Sequence, residues 1–161
     1  MAKNKKVIIS CAVTGAIHTP SMSEYLPVTA DEVIEHSLAA HEAGAAVLHL
    51  HARDEVDGHP TQDPEEFQKF LPTIQNSCDA VINITTGGGP QMSVEERMKP
   101  AMHFKPELAS LNMGSMNFGL FPMLKKHNQL KYPWEKEMLE RSKHSLRFSR
   151  LVSGRTPRWC A

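Results

Sequence analysis

Apolar positions along the chain fall into two regimes, short continuous runs and longer stretches at helical spacing, and the two alternate. Lys6 to Val13 is a short, nearly continuous apolar run, the pattern of a first strand buried on both faces of a parallel sheet. Thr14-Gly15-Ala16 and the Pro20 to Pro27 stretch then form a long loop. The spacing predicts a helix from Ala30 to about Ala43, capped by Thr29, with Asp31 and Glu32 in its first turn. Val33, Leu38 and Ala40 supply its apolar side, and Gly44 stops it. Ala45 to His51 is the second strand, and Arg53 to Pro64 is a polar loop. A second helix runs from about Pro64 to Asn76, with Phe67, Phe70, Leu71 and Ile74 at helical spacing and Pro64 tolerated in the first turn. Ala80 to Thr85 is the third strand. Ser93 and Glu96 have the spacing of a capping box and open a third, short helix, and Glu107 to Asn112 is the fourth strand.

Four strands with three intervening helices imply right-handed crossovers and a parallel sheet. A doubly wound sheet and a (β/α)₈ barrel both satisfy that order. Polar residues favour the barrel: His49 and His51, Thr85 and Thr86, Ser110 and Asn112 all lie at the C-terminal ends of consecutive strands. Barrel enzymes keep their sites there, whereas a doubly wound sheet gathers its ligand contacts at one switch point.

Composition narrows the class. With 18 basic and 18 acidic residues, no net field draws the chain to nucleic acid or to a membrane surface. Cys11, Cys78 and Cys160 are an odd set without CxxC spacing, which fits reduced thiols in the cytoplasm. Lys3, Lys5 and Lys6 ahead of Ser10-Cys11 superficially suggest a lipoprotein signal. Only Val7, Ile8 and Ile9 separate the lysines from that pair, too few for an apolar signal core. No run approaches the length of a membrane span, so a soluble protein is expected.

The candidate chemistry centres on Val47-Leu48-His49-Leu50-His51-Ala52-Arg53-Asp54. On a strand His49 and His51 share one face, with Cα atoms about 6.6 Å apart, within reach of a common metal ion. On spacing alone, a metal site and two polar rings bonded at a strand end remain equally open. Thr85-Thr86-Gly87-Gly88-Gly89 is neither GxGxxG nor a Walker loop, and by itself reads as a flexible strand-to-helix turn.

Several motifs occur together and in order: Thr14-Gly15-Ala16, His49-Leu50-His51-Ala52-Arg53, Pro60-Thr61-Gln62, Thr85-Thr86-Gly87-Gly88, and Phe104 to Asn112 continuing through Met113-Gly114-Ser115-Met116-Asn117-Phe118-Gly119. Over about residues 5 to 142 they resemble the β-keto acid cleavage enzymes. That resemblance implies a zinc-dependent (β/α)₈ barrel, homo-oligomeric at full length, that exchanges the acyl part of a β-keto acid with acetyl-CoA as co-substrate. The products would be acetoacetate and a new acyl-CoA. By the same resemblance His49 and His51 match the family's two zinc-binding histidines, and Thr85, Gly88 and Ser110 fall where the family contacts its keto acid. A glutamate that binds substrate after Thr-Gly-Ala in the family's representative is replaced here by Ile17, so a substrate with a neutral distal end is expected.

A complete barrel needs roughly 250 residues, and this chain has 161. The fold expectation is therefore α/β, the N-terminal half of a (β/α)₈ TIM barrel of about four βα units, truncated. Residues 1–142 form the partial barrel domain. Residues 143–161 form an atypical basic tail, with four arginines between Arg147 and Arg158, in which a frameshift or premature stop is favoured over a native partner-binding extension. The family's third zinc ligand, a glutamate, and its catalytic arginine and aspartate lie in the second half. The catalytic residues are therefore unassigned, and the segment alone is expected to be inactive. Two other classes stay open, a metal-dependent amidohydrolase-like enzyme and a non-catalytic interaction fragment. The first would carry its HxH on the first strand; metal content and acyl exchange distinguish both. The remaining histidines (His18, His36, His41, His59, His103, His127 and His144) read as surface or loop residues. Tyr132-Pro133-Trp134-Glu135 reads as an extended loop or subunit contact, and Met113, Met116, Met123, Phe118 and Phe121 as core or interface.

Overall fold

At the centre of the sheet, β2 (Val47–Leu50) and β5 (Val81–Ile84) run parallel, with His49 opposite Asn83 and Leu50 opposite Ile84. Strand β1 (Ser10–Cys11) flanks β2 and strand β6 (Leu108–Ala109) flanks β5, giving a four-stranded, all-parallel sheet in the order β1-β2-β5-β6. This computed structural model describes residues 6–89, 92–111, 119–127 and 129–142. Asn112, Met113, Met116, Phe118 and the whole of 143–161 lie outside the described residues.

The strands alternate as their sequences require. Leu48, Leu50, Ile82 and Ile84 turn toward the helices and join Val33, Phe67, Phe70, Leu71, Ile74 and Ala101 in one buried cluster. His49 and Asn83 occupy the other face, half-buried. Helix α1 (Ala30–Glu42) begins at a full capping box, in which Thr29 accepts from the Glu32 amide and the Glu32 carboxylate accepts from Thr29. Its inward residues are Val33 and Ser37; Leu38 is only half-buried. Helix α4 (Val94–Phe104) carries the expected box on Ser93 and Glu96.

Several expectations are corrected. The first strand is not buried on both faces: Val7, Ile8 and Ile9 are 80%, 77% and 55% exposed, and only Ser10–Cys11 pair. Among the described residues β1 has a neighbour on one side only, so its apolar run lies at a sheet edge. The predicted fourth strand is likewise an edge. It shrinks to Leu108–Ala109, with Leu108 and Leu111 exposed. The predicted second helix is two, α2 (Pro64–Gln68) and α3 (Leu71–Ser77), broken at Lys69–Phe70. Pro72 is the cause. It has no amide to give Gln68, its ring crowds that carbonyl, and it biases Leu71 away from continuing a helix.

The Arg53 to Pro64 loop contains a hairpin, β3 (Ala52–Arg53) antiparallel to β4 (Pro60–Thr61), closed by the Asp54–His59 turn. Tyr132-Pro133-Trp134-Glu135 does not form an extended loop. It opens helix α6 (Pro133–Arg141), which follows the short α5 (Met123–Lys126). Proline is well placed at a helix start because its missing amide would have no partner there. No described helix is long and apolar enough to cross a membrane.

Two substitutions test this architecture. Leu48 is fully buried, so Leu48→Ala should cost about 2–5 kcal/mol. Thr29→Ala, which removes one cap, should cost about 1 kcal/mol. Urea unfolding followed by tryptophan fluorescence measures both, and equal losses would contradict the placement of one in the core and the other at an exposed cap.

Candidate functional site

The face of the sheet opposite the helices carries the candidate residues His49 and Asn83. His49 lies within β2 and His51 just beyond it, with the buried Leu50 between them directed into the core. Their ring centroids are 4.7 Å apart and nearly perpendicular. Burial lowers the pKa of His49, and a side-chain interaction with Asn83 works against that shift. Burial, and then the positive charges of a protonated His49 and of Arg53, push His51 down to about 3. Both rings are therefore neutral at pH 7, the state in which imidazole offers a lone pair. Among the described residues, His51 Nδ1 is buried without a hydrogen-bond partner. This suits the rings as two donors toward a shared ion. Among the described residues, however, no group of three or more His, Cys, Asp or Glu side chains could hold a metal.

The other predicted site residues lie along the same end of the sheet. Thr85 is buried, and its hydroxyl accepts from the Gly87 amide at 3.0 Å. Ser110 Oγ accepts from the Thr86 amide at 2.8 Å, and Thr86 Oγ1 donates to the Ser110 carbonyl at 2.5 Å. These bonds lock the ends of β5 and β6 together. Gly88 adopts a positive φ of 56°, and a Cβ there would lie 2.5 Å from Arg97 Cγ. Only glycine satisfies both conditions. The Thr85–Gly89 run is thus a fixed turn packed beneath the buried Arg97 side chain, whose Nη1 also reaches the Gly87 carbonyl at 3.4 Å.

Four contributors escaped the sequence reading. Asn83 stands beside His49 because the β2–β5 register puts it there, and no local motif marks it. Arg53, read only as part of a motif, is 2% exposed and bonds to the β1–α1 loop. Burial lowers its pKa to about 10. Arg97 is invisible without the tertiary fold. The fully buried Glu135 accepts from Ser21 N and Oγ and from Tyr132 N, clamping α6 onto the loop after β1. Trp134 Nε1 donates to the Asp57 carbonyl while its ring meets His59 edge-on, so α6 also holds the hairpin turn. Of the described histidines read as surface residues, His41, His59 and His127 are half-buried; His41 Nδ1 lies 3.3 Å from the Ala45 carbonyl.

Residues 6–150 match the family model described as beta-keto acid cleavage enzyme. The chain belongs to that family. It is 66% identical over 143 residues to a 3,5-dioxohexanoate:acetyl-CoA acetone transferase of Paraburkholderia graminis, a match covering 89% of this chain and 46% of the relative. A 3-keto-5-aminohexanoate cleavage enzyme of Acetoanaerobium sticklandii is 42% identical over 116 residues, covering 71% and 42% of the two chains. The chain of this β-keto acid cleavage family member therefore spans just under half the length of these curated relatives. Among solved structures, ObcA in a ternary complex with a C4-CoA adduct and oxalate superposes with a TM-score of 0.50 at 18% identity. That match covers 74% of this chain and 36% of ObcA, and it speaks to the fold alone.

Acid sensitivity tests the burial of the histidines. The unfolded chain protonates His51 near its ordinary 6.5, whereas the folded chain does so only near 3. Stability is full above pH 6.5 and is lost as pH falls, by up to about 1.4 kcal/mol per pH unit for one such group. His51→Gln should therefore narrow the gap between urea midpoints at pH 7 and pH 5. An unchanged gap would mean that His51 titrates freely in the folded chain.

Proposed function

We propose that this chain is the N-terminal part of a zinc-dependent enzyme that exchanges the acyl group of a β-keto acid with acetyl-CoA. The carrying observation is the pair of neutral, converging imidazoles of His49 and His51 on the open face of the sheet. In the balanced reaction the C2–C3 bond of the β-keto acid breaks. Its two-carbon carboxylate fragment joins the acetyl carbon of acetyl-CoA to give acetoacetate, and its acyl group leaves as a new acyl-CoA.

His49 and His51 would be two of the zinc ligands, and the remaining ligand would come from the part of the relatives' length that this chain does not span. When bound, zinc supplies a Lewis acid for the ketone oxygen as charge develops there. Thr85 accepts from Gly87 and so keeps its own proton for a substrate carboxylate oxygen. Gly88 would present its backbone amide, and Ser110 a hydroxyl, along the same rim. Being locked in advance, these donors need no reorganisation as the reaction proceeds.

The parallel sheet is proposed as the first four strands of a (β/α)₈ barrel within residues 1–142, with 143–161 as a separate tail. Support comes from the two apolar sheet edges and from the share of each relative that the chain covers. The substrate is proposed to have a neutral distal end. Ile17 occupies the loop that would face that end, and the Paraburkholderia graminis relative is named for a diketo acid.

An isotope experiment tests the reaction. Full-length protein carrying this segment is given 3,5-dioxohexanoate and acetyl-CoA labelled in its acetyl carbons. The label should appear in free acetoacetate, with unlabelled acetoacetyl-CoA as the other product. Label retained in the thioester, or no turnover, contradicts the proposal. Residues 1–161 alone should show no exchange. His49→Ala and His51→Ala should each abolish zinc retention. Thr85→Val and Ser110→Ala should each slow exchange by the equivalent of about 1–3 kcal/mol with zinc content unchanged.

A further inference from the structure

We infer that Arg53 is a positioning residue for the keto-acid end of the site: its guanidinium fixes the Thr14–His18 loop, which carries Ile17, against the Asp54–His59 turn. The inference rests on the proposed function for its consequence in catalysis, and on geometry alone for the tie itself.

Arg53 Nε donates to Thr14 Oγ1 at 3.0 Å, Nη2 donates to the His18 carbonyl at 2.7 Å and to the Gly15 carbonyl, and Nη1 donates to the Gly58 carbonyl at 2.7 Å. All three nitrogens are used, and every acceptor is a neutral oxygen. Three of the four acceptors belong to the β1–α1 loop, and the fourth belongs to the hairpin turn that follows β3. Among the described residues, no backbone-to-backbone hydrogen bond involves Thr14 to His18. Among the described residues, the polar anchorage of the loop therefore comes from this one side chain.

A second observation shows how closely the two segments are drawn together. Gly58 has a φ of 71°, and a Cβ added there would lie 2.5 Å from Pro20 Cγ. The turn and the loop touch without room for a methyl group. Arg53 itself follows His51 by two residues, on the strand that begins where the histidines end. The same short run thus carries both the candidate metal donors and the fork that holds the neighbouring loop at a fixed distance from them.

Burying a cation without a carboxylate partner is costly unless its donors are satisfied. A loop that only needed covering would be served by an apolar residue. The planar fork is what a loop needs when several carbonyls must keep one arrangement, and lysine, a point donor, does not reproduce it. Displacements of about 1 Å in such a loop are enough to change catalysis by about 10²-fold.

The test uses Arg53→Lys and, as a milder change that keeps the guanidinium, Thr14→Val. Mass-mapped proteinase K digestion of the full chain should show cleavage within 14–18 rising about 10-fold in Arg53→Lys, the size of a loop anchor worth about 1.4 kcal/mol. The rise should be smaller in Thr14→Val. In full-length enzyme, the KM for 3,5-dioxohexanoate should rise in the same order, with KM for acetyl-CoA and zinc content unchanged. Millimolar guanidinium should partly restore the KM of an Arg53→Ala enzyme. Wild-type rates of cleavage in both variants would overturn the tie. Faster cleavage with an unchanged keto-acid KM, or equal increases for both substrates, would overturn the positioning role. Absence of exchange in the unmodified enzyme, with cleavage at 14–18 still faster in the variants, would instead count against the proposed function.

Discussion

The parallel pairing of Val47–Leu50 with Val81–Ile84 is the constraint on which the rest depends. Because side chains alternate, this register sends Leu48, Leu50, Ile82 and Ile84 into the helical layer and leaves His49 and Asn83 on the opposite face. A slip of one residue would exchange the two sets. It would bury a histidine among aromatic rings and expose leucines. The apolar core thus enforces the orientation of the polar site.

The loops that complete the site are held by polar side chains that the core cannot supply. Arg53 gathers the Thr14–His18 loop and the hairpin turn. Arg97 covers Gly88 on the next βα connection. Glu135 and Trp134 reach from α6 to Ser21 and Asp57. Each is buried or half-buried and bonds to backbone on a segment distant in sequence, so rigidity at the rim is bought with desolvated polar groups. This division holds the candidate imidazoles, hydroxyls and amides in a fixed arrangement.

Strong local signals made much of this legible in the sequence. The Thr29 and Ser93 caps, the Gly44 stop and the apolar runs at β2 and β5 are each encoded within a few residues, and the helices and central strands follow them. The paired histidines are equally local, since period-two spacing alone gives them a common face. Reading failed where distant contacts decide. Lys6 to Val13 has the composition of a buried strand, but its exposure depends on whether another strand lies beside it. Pro72 breaks the second helix although the apolar spacing runs straight through it. Arg53, Arg97 and Glu135 look like ordinary surface charges until the fold brings backbone carbonyls, a glycine turn or Ser21 against them.

Zinc-edge X-ray absorption on the zinc-loaded full-length protein asks whether His49 and His51 hold the metal. Scattering from two imidazoles is expected, falling to one or to loss of the metal when either His49 or His51 is replaced by alanine. An unchanged spectrum at unchanged zinc occupancy in the double variant would contradict their role as zinc ligands.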